Sequence, residues 1–187
     1  MKISEVKRTM IEKGIPAEIM EQFVFPATED ETPEDQVMFA NQMDRLLTKE
    51  QILCVMAEQG CEKYEHEPNY SQLMSKLNGK SIEERIGILN AMNINETTHY
   101  RVNDDGTLSV FANHTRNGKY ICCCPIIHKL SKPAMVSLTY CGCCGGHLKY
   151  HSEKSLNVKL RLIETVSSPI NSNGEKFCEF LFKIIEK

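Results

Sequence analysis

The apolar residues of this chain change their spacing near Asn95, and that change limits the fold more than any other feature. Before it they recur every three or four residues, the period of a helix face. After it they alternate, the period of a strand. Residues 2–13 place Ile3, Val6, Met10 and Ile11 on one predicted helical face, and Gly14 can end that helix. A short helix follows, with Pro16 near its first turn. Residues 27–35, A-T-E-D-E-T-P-E-D, read as an exposed acidic connector. Thr32 and Pro33 open the next helix, which runs to about Leu47 with Val37, Met38 and Met43 expected in the core. Thr48 with Gln51, and Ser81 with Glu84, have the spacing of capping boxes. The first opens a helix over 49–60 with Ile52, Val55, Met56 and Gln59 as its inner stripe, ended by Gly60 and Cys61. The second opens one that reaches about Met92, and residues 70–77 make another short helix.

Beyond Asn95, residues 99–102 and 108–111 flank Asp104-Asp105-Gly106, a hairpin signal, and Asn117-Gly118 is a second. Residues 120–127 read as a strand, Pro133 as a turn, and residues 145–156 as a helix. Val158, Leu160 and Leu162 alternate with Lys159 and Arg161 in a half-buried strand. Cys178, Phe180, Phe182 and Ile184 mark a final strand beside it, after a loop over 171–174. The expected fold class is α+β: a helical region over 1–96, then an antiparallel sheet packed with at least one helix over 97–187. The two stretches are either separate units or one integrated domain.

Charge follows the same division. Residues 1–96 carry 10 Lys and Arg against 18 Asp and Glu, and residues 97–187 carry 12 against 7. The halves are therefore of opposite sign and attract one another. The lysines of the basic half are scattered rather than striped, so no specific nucleic-acid partner is expected. No run of about 18 apolar residues occurs, so no membrane span is expected. The first residues lack the apolar centre of a secretory signal, which points to a cytoplasmic location. There, nine cysteines are expected to be metal ligands, catalytic thiols or small buried hydrophobes rather than disulfides.

Six of those cysteines fall within 23 residues: Cys122, Cys123 and Cys124, then Cys141, Cys143 and Cys144. In a strand Cys122 and Cys124 share a face, a two-thiolate clamp. Cys141, Cys143 and Cys144 precede the predicted helix, whose N-terminus favours thiolate. A zinc ion takes four N or S ligands in a tetrahedron. Cys122, Cys124, Cys141 and Cys143 satisfy that demand, and His147 can replace one of them, with zinc or iron as the expected ion. His147 and His151 share a helix face. His151, His128, His99, His114 and His66 read as surface or packing residues. Gly142, Gly145 and Gly146 read either as an anion-accepting turn or as a plain strand-to-helix turn. Cys54 and Cys178, single in sequence, read as small hydrophobes, although Cys61 and Cys178 can join the cluster in space. A thiol site without metal remains open, with Cys143 or Cys144 as nucleophile and His147 as acid–base partner.

Three stretches carry a family resemblance: C-x-C-P over 122–125, Y-C-G-C-C-G-G-H-L-K over 140–149, and V-x-L-x-L-I-E-T-V-S-S…G-E-K-F-C-E-F-L-F over 158–182. Through them residues 119–186 resemble a bacterial group that includes 4-vinyl-reductase-like domains and L-2-amino-thiazoline-4-carboxylate hydrolase-like proteins. The resemblance implies an α+β ligand-binding fold. The expected function is binding of a small molecule or metal between residues 122–124 and 141–147. The enzymatic alternative is a thiol- or metal-dependent hydrolase of a small amide or thiazoline-like substrate. A third class, an interaction module using the acidic half, is open, and so is a homodimer. Cys123 and Cys144 are additions to the group's pattern.

Overall fold

The computed structural model describes residues 1–26, 30–60, 70–92, 98–132 and 136–186. The connector at 27–29, Cys61, His66, Asn95 and Pro133 lie outside them. Among the described residues six helices come first: α1 (Ile3–Glu12), α2 (Ala17–Met20), α3 (Pro33–Leu46), α4 (Lys49–Met56), α5 (Tyr70–Leu77) and α6 (Ile82–Met92). Strands β1 (Thr98–Val102), β2 (Thr107–Ala112), β3 (Thr115–Arg116) and β4 (Lys119–Tyr120) follow. Helix α7 (Leu138–Leu156) and strands β5 (Lys159–Ser167) and β6 (Cys178–Glu186) complete the chain. The fold is α+β, as expected. Among the described residues no helix is long and apolar enough to cross a membrane.

Local signals account for the helix starts. Thr32 and Asp35 close a reciprocal capping box on α3, with Pro33 at its first position. Thr48 and Gln51 do the same on α4. Ser81 Oγ accepts from the Glu84 amide at 3.2 Å and Glu84 Oε2 accepts from the Ser81 amide at 2.7 Å, which starts α6. Each such cap stabilises its helix by about 1 kcal/mol. Two residues expected inside lie outside: Ile11 is 63% exposed and Met38 is 53% exposed. Each sits one residue off a fully buried neighbour, Met10 and Phe39, and that neighbour takes the core position.

The main sheet is antiparallel, in the order β1-β2-β6-β5. Its β1–β2 hairpin pairs Thr98 with Ala112 and Val102 with Leu108, around the expected Asp-Gly turn. Asn90 on α6 covers the free edge of β1: its amide donates to the Tyr100 carbonyl at 2.9 Å and its oxygen accepts from the Tyr100 amide at 3.0 Å. The strand expected over 120–127 is not formed. Only Lys119 and Tyr120 pair, with Arg116 and Thr115. The chain then runs irregularly through 121–124, passes Pro125, which has no amide to donate, and makes a short 3-10 turn over Ile127–Lys129.

Helix α7 is the spine. Its first half joins a core made with α1, α3 and α4, where Tyr140 and Cys143 pack with Met10, Phe39, Met43 and Met56. Its second half joins the core of the sheet, where Leu148 and Leu156 pack with Leu108, Leu160, Phe180 and Phe182. The helix was expected to begin at 145; it begins at Leu138, with Ser137 Oγ accepting from the Thr139 amide. The glycines therefore lie inside it rather than in a turn. An added Cβ on Gly146 would sit 2.1 Å from the Gln59 carbonyl oxygen and 2.6 Å from that of Met56. One on Gly145 would sit 3.0 Å from Phe180.

Gly146→Ala should therefore destabilise the protein by about 3 kcal/mol, because backbone must move to admit the methyl group. Gly87→Ala in α6, where nothing lies within 4 Å, should be neutral or stabilising. Denaturant unfolding of the two variants checks this; equal stabilities would refute the close helix contact.

Candidate functional site

Residues 121–124 cross the first turns of α7 and are held there by four contacts. The Ile121 amide donates to the His114 carbonyl at 2.9 Å. The His128 ring donates through Nε2 to the Cys122 carbonyl at 2.7 Å. The Cys124 amide donates to Cys122 Sγ at 3.4 Å. Cys124 Sγ lies 3.7 Å from the Tyr140 hydroxyl, which in turn donates to Gln36 Oε1 at 3.3 Å. Gln36 is itself anchored, its amide donating to Glu31 at 3.3 Å, and Glu31 receives the amides of Ile3 and Ser4. The thiol thus ends a polar chain that reaches the N-terminus of α1.

Among the described residues seven cysteines are linked here, each within electrostatic reach of at least one other: Cys122, Cys123, Cys124, Cys141, Cys143, Cys144 and Cys178. Burial pushes the Cys122 thiol up to about 12, and Cys123, Cys124 and Cys141 add to the rise against the opposing Cys124 amide. Burial pushes Cys141 up to about 11, against a hydrogen bond with Ser168. Cys144 is raised well above the ordinary thiol range, first by its hydrogen bond with Cys123 and then by burial. Burial also raises Cys178, and Cys123, Cys122 and Cys141 act in the same direction. The buried Tyr140 hydroxyl is raised as well, by burial and then by Cys124.

This reverses the expectation that the start of a helix would favour thiolate in 141–144. These residues lie one to two turns inside α7, where its dipole is weak, and desolvation opposes charge. Of the expected ligands, Cys122, Cys124, Cys141 and Cys143 are buried at this junction, and Cys144 is half-buried. His147 lies one turn beyond Cys143, half-buried, with its ring centroid 4.5 Å from that of His151. Among the described residues no group of three or more His, Cys, Asp or Glu side chains stands where it could hold a metal ion.

Two further residues join the junction: Cys178, which the sequence left open, and Tyr140, which it had not placed there. Cys178 arrives because β6 starts beside the end of β5, where Ser167 and Ser168 are buried. Tyr140 arrives because α7 begins earlier than expected. Cys54, read as a small buried hydrophobe, is exposed. A groove of about 1050 Å³ opens beside the cluster, with Cys122 and His128 in its wall.

No family model matches the chain. No curated protein matches it either. Among solved structures, an H-NOX protein from S. oneidensis in the Fe(II)NO state is 10% identical, with 97% of this chain and 89% of that one covered, at a TM-score of 0.31. A mutant H-NOX domain from Shewanella oneidensis in the Fe(II)CO state is also 10% identical, with full coverage of both chains, at 0.32. Likeness this distant carries no weight for the chemistry of the site.

The raised thiols give stability a definite pH dependence. Unfolding returns Cys122 and Cys141 to the ordinary value of 9.0, so the unfolded chain loses protons first as pH rises. Their contribution is complete below about pH 8. It is lost through the folded values of about 11 and 12. Denaturant unfolding of the reduced, metal-free protein should show stability falling above pH 9, with a shallower fall in Cys122→Ala and Cys141→Ala. Identical slopes in all three proteins would refute the burial of these thiols.

Proposed function

We propose that the chain is a binding protein for a soft metal ion, zinc or iron, taken by sulfur where residues 122–124, α7 and the start of β6 meet. The convergence of seven cysteines from three segments supports this reading. Thiolates are the soft ligands that zinc and iron accept. The expected donors are Cys122, Cys124, Cys141 and Cys143, with His147 as a replacement for one of them. The donor chemistry fits such an ion. Their sulfurs would have to turn onto other rotamers to meet it.

Binding here has a proton cost to meet. Buried thiols with raised pKa stay neutral at pH 7, and a bound cation supplies the positive charge that lets them ionise. Metal binding then releases protons and couples to stability. The hydrolytic alternative needs a thiolate at Cys143 or Cys144. The raised Cys144 thiol is poorly suited to that role, which leaves Cys143 as the nucleophile of that alternative. Membership of the 4-vinyl-reductase-like group remains part of this proposal, on the motifs quoted above, and so does a cytoplasmic location, where thiols stay reduced.

Protein purified anaerobically without added metal should contain about one equivalent of zinc or iron, with about four thiols masked from a thiol reagent. Removing the metal with a chelator should lower the unfolding midpoint and unmask them. Metal-free protein with nine reactive thiols and an unchanged midpoint would overturn the proposal.

A further inference from the structure

The groove beside the cysteine cluster has a distinct chemistry of its own. Its volume of about 1050 Å³ is enough for a small organic molecule. Two Asn-Gly turns form its lips, one between β3 and β4 and the other in the loop between β5 and β6. Asn117 and Asn173 have φ of 51° and 52°, and Gly118 and Gly174 have φ of 73° and 79°, so both turns occupy the left-handed region. The lips are tied together: the Tyr120 amide donates to the Gly174 carbonyl at 3.0 Å. A Cβ on Gly174 would come within 3.2 Å of Lys119 Cβ.

Charge at the rim is unbalanced. Arg116 and Lys119 are direct cross-strand partners in the β3–β4 ladder, and both are exposed. Like charges in that register repel. Among the described residues neither cation has an ion-pair partner. Glu175 is the one carboxylate among the described residues of the groove lining, and the His128 ring is committed to the Cys122 carbonyl. Deeper in, the lining turns apolar at Ile121, Ile127 and Ile170, and Tyr120 is fixed edge-on to Phe177 at 5.4 Å.

We propose that this groove binds a small organic anion, its acidic group between Arg116 and Lys119 and its apolar body against Tyr120, Ile127 and Ile170. The anion supplies the counter-charge that the hairpin lacks. The Asn117 and Asn173 side chains offer amide donors at the same rim. This inference stands without the metal, since none of these groups is among the expected ligands.

The test uses the fluorescent dye anilinonaphthalene sulfonate, an apolar body with one anionic group, and its uncharged relative phenylnaphthylamine. The wild-type chain should bind the sulfonate at one saturable site, weakened by raising salt to about 0.5 M. Arg116→Gln with Lys119→Gln should weaken it about tenfold or more, since charge-assisted contacts are lost. Its unfolding midpoint should be unchanged or higher, because a repulsion is removed. Lys159→Gln with Arg161→Gln, two exposed cations on β5, should bind as wild type does. Absence of a saturable site, equal losses in both double variants, or salt-insensitive binding with the uncharged dye as tight as the sulfonate would overturn the proposal.

Discussion

Helix α7 can reach the elements on both sides of it only because three of its residues lack a side chain. Gly142 and Gly146 lie one turn apart and face α4, where a Cβ on Gly142 would sit 2.8 Å from the Met56 Cβ. Gly145 faces the sheet at Leu162 and Phe180. Small residues at such spacing let backbones approach within the range where many weak dispersion contacts add. The helix consequently belongs to both cores, the helical one through Tyr140 and the sheet core through Leu156. Its far end is fixed as well. Arg85 donates to the Leu156 carbonyl at 2.6 Å, and Glu153 accepts the Leu160 amide at 2.8 Å.

The position of the thiols follows from that packing. Once α7 is set between the layers, Cys141 and Cys143 cannot face water, and the chain over 121–124 is laid across them. Burial costs little for a neutral thiol and much for a thiolate, so desolvation heads the causes acting on Cys122, Cys141 and Cys178. The polar chain from Cys124 through Tyr140 and Gln36 to Glu31 satisfies the buried oxygen of the tyrosine. It also fixes which way Cys124 points.

Local signals explain most of what could be anticipated. Capping boxes at Thr32, Thr48 and Ser81 involve residues three apart, so their hydrogen bonds need no tertiary partner. The two hairpin turns depend on Asp-Gly and Asn-Gly pairs for the same reason. Errors occur where a local pattern competes with packing. Ile11 and Met38 are apolar and suitably spaced, yet a neighbour one residue away fills the core instead. Residues 120–127 are rich in strand formers, but after Tyr120 their polar groups find partners in turns and side chains rather than in a ladder. Gly142, Gly145 and Gly146 have the composition of a turn, which puts the expected start of α7 at 145, whereas their role is to permit contact.

By itself, then, the sequence determined the order of the elements, the α+β class and the clustering of six cysteines, since period, caps and turn residues all act over a few positions. It also determined that Cys178 and Phe180 would share a face of the last strand, because alternation is a property of the strand alone. Tertiary structure decided that Cys178 and Tyr140 join the cysteines, that burial raises the thiols of Cys122, Cys141 and Cys178, and that Arg116 and Lys119 open onto a groove. These depend on desolvation and on contacts between residues tens of positions apart, which no local pattern records.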